Sequence, residues 1–480
     1  MWKKSVLALA GGVLATFAAN VYAVNWIMIQ GTEPPNSKPR FFGAAALTYS
    51  NFVGCDRLSG MAKPDGTPDG DLNAGPGLNN GYYVNNCRVG PELENKDSGF
   101  NLNALVLGSR GPITDKTNYF ITTQFGSNAA TYLPMNTDRE RIGTLTDASV
   151  TFNHIPRARL KVGLFKKPGP EELMQSLKNH NFIYLTDFTR RDQIERFVTG
   201  NAKGTKPIPD QGTPVTEAYD ADVGRDWGVQ FFDAFRIADW QHTYAVMAGN
   251  GNGIHQTDNN SEKDLNLYWS SEKDLPGGKG PYKHGIKFYG YHQKGVRNFI
   301  KADGTDSEDF DRIRYGVGMK ALGKLGGYKQ RFAVDLMYAD GMVLQSAVTS
   351  CTDCPYGGQI QIAAEEGNKA RGTTIDYGFY LNKKWQFDAR WSRNNLLYET
   401  AANTKWSPSD ERIITEFAVG TNYHISPKTR LTLNYVFRDS EAPNAVEHSN
   451  ANIAEVKTQN AENATSTVGD VLGLRIMHFF

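Results

Sequence analysis

From about residue 40 onward, apolar side chains recur at every second position in stretches of about ten residues. That is the period of a strand with one apolar face and the length of a strand crossing a bilayer at a tilt. The first stretch carries Phe41, Gly43, Ala45, Leu47 and Tyr49. The pattern returns at Phe100 to Val106, Tyr119 to Phe125, Ala148 to Phe152, Leu160 to Leu164 and Trp227 to Phe231. It continues at Tyr244 to Ala248, Leu265 to Trp269, Ile286 to Phe288, Tyr315 to Met319 and Phe332 to Tyr338, where Lys287, Lys320, Arg331 and Asp335 take the opposite face. Ile375 to Leu381, Trp385 to Trp391, Phe417 to Tyr423, Leu431 to Phe437 and Leu472 to Phe480 complete a set of sixteen. An even number of strands with one greasy side predicts an all-β fold, a transmembrane antiparallel β-barrel of about 16 strands.

Connection lengths support the same reading. Short turns at His154 to Arg157, Arg236 to Asp239, Gly323 to Gly327, Asn382 to Lys384 and Ile425 to Pro427 alternate with much longer segments. A barrel with tight turns at one rim and loops at the other shows this rhythm. A soluble sandwich could alternate too, but nothing in its packing favours a last strand with Leu472, Leu474, Ile476 and a final Phe480 on one face. Such a strand resembles the terminal signal read by barrel-assembly machinery. The start of the chain reads as an address: Lys3 and Lys4, an apolar run from Ser5 to Ala19, and a small-residue site at Val21-Tyr22-Ala23. The expected organisation is therefore a signal peptide over 1–23, a periplasmic segment over 24–39 and the barrel over 40–480.

Composition narrows the alternatives. Forty-eight glycines, 40% hydrophobic residues and a negative mean hydropathy exclude a bundle of transmembrane helices. Fifty-two basic residues against 51 acidic ones leave no field directed at nucleic acid. Export places the four cysteines, Cys55, Cys87, Cys351 and Cys354, in an oxidising compartment. Of three pairings, proximity favours Cys55 with Cys87 and Cys351 with Cys354, as staples in surface loops. Cys351 to Cys354 precedes Pro355 and has no second Cys pair, so neither haem attachment nor zinc is indicated. Asp65 to Asp71 has the spacing of a calcium loop, but Pro76 occupies the closing position. His242, His255, His284 and His292 share no ligand spacing. No nucleophile, acid pair or phosphate loop has supporting context, so no enzyme, metal or cofactor is expected.

Function should then reside in the lumen and in any loop that enters it. Roughly sixty residues separate Lys166 from Arg225, far beyond ordinary loops, with a helix-compatible stretch from Pro170 to Lys178. An inward fold would present Lys166, Lys167, Lys178, Arg190, Arg191 and Arg196 beside Glu171, Glu172, Asp187, Asp192 and Glu195, as opposed charges at a constriction. Strand parity turns Arg159, Lys161, Lys287, Arg314, Lys320, Arg331, Arg390, Arg430, Arg438 and Arg475 inward. Asp147, Asp226, Asp264, Asp335, Asp376, Asp388 and Glu416 share that face, so the excess is basic but modest. The pore-lining and constriction candidates are Lys161, Lys166, Lys167, Arg190, Arg191, Lys287, Lys320, Arg331, Arg390 and Arg475.

Along this loop, Leu160-Lys161-Val162-Gly163-Leu164-Phe165-Lys166 with Pro168, Glu172 and Leu173 resembles the phosphate-selective porin O and P family. Arg225 to Gln230 looks like that family's next strand, and Asn250 to Gly253 with Asp258 to Asn260 like its following loop. The resemblance spans roughly residues 160 to 267 and implies a sixteen-stranded trimeric porin. With the basic lumen, it leads to an expected channel for small anionic or neutral solutes, weakly anion-selective, seated in outer-membrane lipid. A second class of function is a barrel that sheathes a partner such as an electron-transfer cytochrome. It draws on Trp26 to Gln30, an apolar segment that would need a partner if left in periplasmic water.

Overall fold

The computed structural model describes residues 25–29, 32–33, 37–53, 98–126, 128, 143–194, 224–254, 258, 260–278, 283–300, 307–345, 361–402, 406–444 and 469–480. Its strands begin with β1 (Arg40–Val53), β2 (Ser98–Thr114), β3 (Thr117–Phe125), β4 (Thr144–Phe152), β5 (Arg159–Lys166) and β6 (Arg225–Ile237). Next come β7 (Trp240–Gly249), β8 (Asp264–Asp274), β9 (Gly285–Ile300), β10 (Ser307–Leu325), β11 (Tyr328–Asp340), β12 (Val343–Gln345) and β13 (Gln361–Ala363). The last are β14 (Lys369–Tyr380), β15 (Trp385–Glu399), β16 (Arg412–Ser426), β17 (Thr429–Glu441) and β18 (Asp470–Phe479). All but β12 and β13 close into one antiparallel barrel of sixteen strands ordered as in the sequence, and those two form a hairpin between β11 and β14. Each alternating stretch of the sequence falls on one barrel strand.

The barrel closes between its first and last strands, with Ala44 opposite Phe479 and Val53 opposite Asp470. One step further, Gly43 and Phe480 exchange both backbone hydrogen bonds at 3.1 Å. A β-carbon at Gly43 would lie 2.3 Å from the Phe480 ring, so glycine is required where the final aromatic crosses the seam.

The distribution of polarity is inverted relative to a soluble protein. Trp269, Val317, Phe437 and Ile476 point outward and are 47%, 56%, 47% and 43% exposed, whereas Arg312, Arg314 and Arg475 point inward and are at most 2% exposed. Charge inside and hydrocarbon outside is stable only when the outer medium is hydrocarbon. Outward aromatics flank the aliphatic band, among them the pairs Trp385–Tyr423 (4.5 Å) near the short-turn rim and Tyr49–Phe100 (4.9 Å) toward the other. The protein is a multi-pass β-barrel of the outer membrane.

Turns at 115–116, 153–158, 238–239, 326–327, 381–384 and 427–428 mark the periplasmic rim. Residues 275–278 and 283–284, between β8 and β9, lie there as well, and the strand ends that lead into the long connections stand at the opposite rim. Residues 1–23, the expected signal peptide, and Cys55, Cys87, Cys351 and Cys354, the expected staples, lie outside the described residues.

Candidate functional site

The connection after β5 runs into the barrel. Pro168 to Pro170 turn the chain off the strand, and Pro170, extended at ψ 144°, precedes the short helix α2 (Glu171–Met174). Lys166 Nζ donates to the carbonyls of Leu173, Met174 and Gln175 at 2.9, 3.3 and 2.9 Å. An ammonium there satisfies carbonyls that a helix end leaves open. The chain descends to Lys178, whose ammonium lies 5.4 Å from the Phe479 ring, then crosses the lumen through Phe182 to Asp187 and climbs into a π-turn at Thr189–Gln193.

Five wall arginines hold this path by its backbone. Arg430 donates to His180 O (2.6 Å), Arg475 to Phe182 O (3.1 Å), Arg390 to Tyr184 O (2.9 Å), Arg312 to Gln193 O (3.4 Å), and Arg314 to Asp192 O. Side chains complete the attachment. Glu171 meets Lys287 at 2.7 Å and Lys320 at 3.2 Å, Glu172 meets Arg390 at 3.1 Å, and Arg190 meets Glu416 at 2.9 Å. Asp187 binds Arg191 at 2.9 Å within the loop, and Tyr184 OH donates to Ser50 Oγ at 2.6 Å. Buried charges persist only when paired or hydrogen-bonded, and these are. The wall is also recessed for the loop. A β-carbon on Gly372 would sit 2.6 Å from Phe188, and one on Gly473 2.7 Å from Tyr184 OH.

The pairing sets the protonation of the loop. Burial pushes the Glu171 carboxyl up, but Lys287 and Lys320 outweigh it and hold it below its usual range. At Asp192 burial outweighs the pull of Arg314, Asn394 and Arg191 and, with Asp187 adding to it, raises the carboxyl to about 7. Burial, reinforced by Lys166, Arg475, Lys320 and Arg430, keeps His180 far below the ordinary imidazole value.

The N-terminal segment is inside as well. Helix α1 (Trp26–Ile29) buries Trp26 and Ile27 against the inward residues Phe232, Ala245, Tyr268, Tyr289 and Tyr291 and against Met174 of the loop. Trp26 Nε1 donates to Glu171 Oε2 at 3.1 Å, and Asn25 donates to Thr243 Oγ1. Arg110 donates to Ile29 O at 3.2 Å, and Glu33 binds Arg110 and Arg40 at 2.8 and 3.1 Å. This corrects the expectation of an apolar segment offered to a periplasmic partner from Trp26 to Gln30. Trp26 and Ile27 are covered by the barrel's own aromatic residues while Ile29 stays 41% exposed, so most of the apolar surface that supported a sheath is taken up inside the barrel.

Loop and segment together divide the lumen. A cavity of about 750 Å³ runs along β1 to β4, from Arg40 and Arg110 at the periplasmic rim to Asn128 and Arg225 at the other. A second, of about 120 Å³, lies on the far side of the loop against β9 to β15, and Trp26 lines both. Of the ten expected lining residues, Lys166, Arg190 and Arg475 border the larger cavity, and Lys287, Lys320, Arg331 and Arg390 the smaller. Lys161, Lys167 and Arg191 border neither. Lys161 is buried with its ammonium 4.7 Å from the Phe232 ring and 5.2 Å from the Phe165 ring, and Lys167 and Arg191 are buried too. Arg331 is held by Asp376 and Asp388 at 2.8 and 2.9 Å. Sequence reasoning placed Lys178 among the charges an inward loop would present but left it out of the lining candidates, and it had no signal for Gly372 or Gly473.

The chain matches no family model and no curated protein sequence. Solved outer-membrane barrels do resemble it. An anion-selective porin from Comamonas acidovorans is 8% identical over 92% of this chain and 99% of its own, with a TM-score of 0.45. The outer membrane channel DcaP of Acinetobacter baumannii is 11% identical over 96% and 100%, at 0.43, and OprB of Pseudomonas putida 8% identical over 92% and 94%, at 0.47.

Proposed function

We propose that the protein is a porin whose inward loop narrows the lumen to one water-filled path with a weak preference for anions. The observation that carries this reading is the charge balance of the larger cavity. Lys166, Lys178 and Arg475 border it, and among the described residues none of the three is ion-paired with a carboxylate. Across the cavity the β1 to β3 wall offers neutral groups, Thr48, Ser50, Asn101, Asn103 and Gln124. The two carboxylates of its lining are each opposed, Asp147 by Arg225 at 3.3 Å and Glu172 by Arg390 at 3.1 Å. Cations with neutral partners in a narrow, low-dielectric passage attract anions and retard cations. The far cavity contributes less, because its lysines and arginines face Glu171, Glu172, Asp376 and Asp388.

Trimeric assembly, implied by the sequence resemblance, belongs to the same proposal. The test is the zero-current potential of the purified protein in planar bilayers under a potassium chloride gradient. The reading expects a modest anion preference that falls in Lys178→Gln, a substitution that removes a charge without breaking an ion pair. A cation preference, or no change in that variant, rejects it.

A further inference from the structure

The loop faces the water path with the wrong chemistry for a simple ion constriction. Its charged residues, Glu171, Glu172, Asp187, Arg190, Arg191 and Asp192, are bonded to the wall or within the loop, and of these Glu172 and Arg190, each held in an ion pair, also border the larger cavity. The face it leaves toward the larger cavity carries Leu173, Leu177, Ile183 and Leu185, all only half-buried. The opposite wall adds Ala104, Val106 and Phe120. Aliphatic surface left wet inside a polar lumen is unfavourable unless something apolar covers it. Lys166, Lys178 and Arg475, which have no carboxylate partner among the described residues, border the same strip. A cavity of about 750 Å³, largely apolar with a few placed cations and amides, has the build of a small-molecule site rather than of an ion sieve.

We propose that this cavity is a binding site for carboxylates with an apolar body, aromatic or branched aliphatic acids of low mass, taken up on their way through the channel. The inference rests on the porin reading. The carboxylate is drawn to Lys178 and Arg475, and the hydrocarbon lies on the aliphatic strip, so affinity needs both halves of the ligand. Neither inorganic phosphate, which has no apolar body, nor a neutral aromatic alcohol satisfies both.

The test is block of the potassium chloride current of the full protein by benzoate, acetate, inorganic phosphate and benzyl alcohol, each titrated on the cis side. Benzoate is expected to half-block at a concentration about tenfold below acetate or phosphate, as a ring's worth of buried hydrocarbon allows, with benzyl alcohol weaker still. Leu173→Asn with Leu177→Asn should bring benzoate close to acetate, and Lys178→Gln should weaken both acids. Equal block by benzoate and acetate in the unaltered protein overturns the inference without any variant, as does block by benzyl alcohol equal to that by benzoate. A protein that passes no chloride current overturns the porin reading itself, and this inference with it.

Discussion

Inward direction and contact with water are separate properties of a barrel residue. Lys161 shares the lumenal parity, yet Phe165 and Phe232 cover its ammonium. Lys178 lies on no strand and borders the larger cavity. Parity along a strand was legible because it repeats every two residues; coverage depends on partners far away in sequence, such as Phe232 for Lys161. Asp192 offers a second residue-scale test. Its carboxyl sits near 7 when folded and near 3.8 when unfolded, so between those values the folded state binds the extra proton. Stability therefore falls as pH rises through that window, by on the order of a few kcal/mol, and levels off above about 7. Heat-modifiability midpoints measured from pH 4 to 8 should show that decline, and Asp192→Asn should flatten it. An unchanged slope in the variant would assign the pH dependence to other groups.

The elements inside the barrel are held by recesses as much as by bonds. Gly372 and Gly473 leave room for Phe188 and Tyr184, so Gly372→Leu and Gly473→Leu should displace the loop at a cost of about 1–3 kcal/mol each. The measurable result is a larger single-channel conductance with the barrel still folded; an unaltered conductance would mean that the recess does not position the loop. Trp26 separates the two cavities, and Trp26→Ala should join them, raising conductance and destabilising α1 by about 3–5 kcal/mol. Proteolysis within the N-terminal segment would report the release, and protection equal to that of the unaltered protein would contradict it. Neither feature could be read from sequence. A glycine in a strand has many causes, and the apolar Trp26 to Met28 fits a partner, a rim or a lumen equally well until Tyr268, Tyr289 and Tyr291 are seen to surround it.

At the scale of the whole molecule, alternation and turn lengths specified the barrel, because hydrocarbon on one side and water on the other impose a period of two on every strand. The course of the loop was less legible. Its length showed that it could enter the lumen, but its path is set by arginines such as Arg475 and Arg430, each about 250 to 290 residues downstream of the carbonyls they bind. The account turns on that loop crossing the lumen, and the geometry permits a direct test. Lys167 N donates to Gly224 O at 3.0 Å, so the two ends of the connection already meet. Residues 168–223 can be replaced by a short glycine-serine turn, with heat-modifiability as the control for folding. Single-channel conductance of that protein should rise several-fold over the unaltered channel; an equal conductance from a folded barrel would place the loop outside the path and contradict the account.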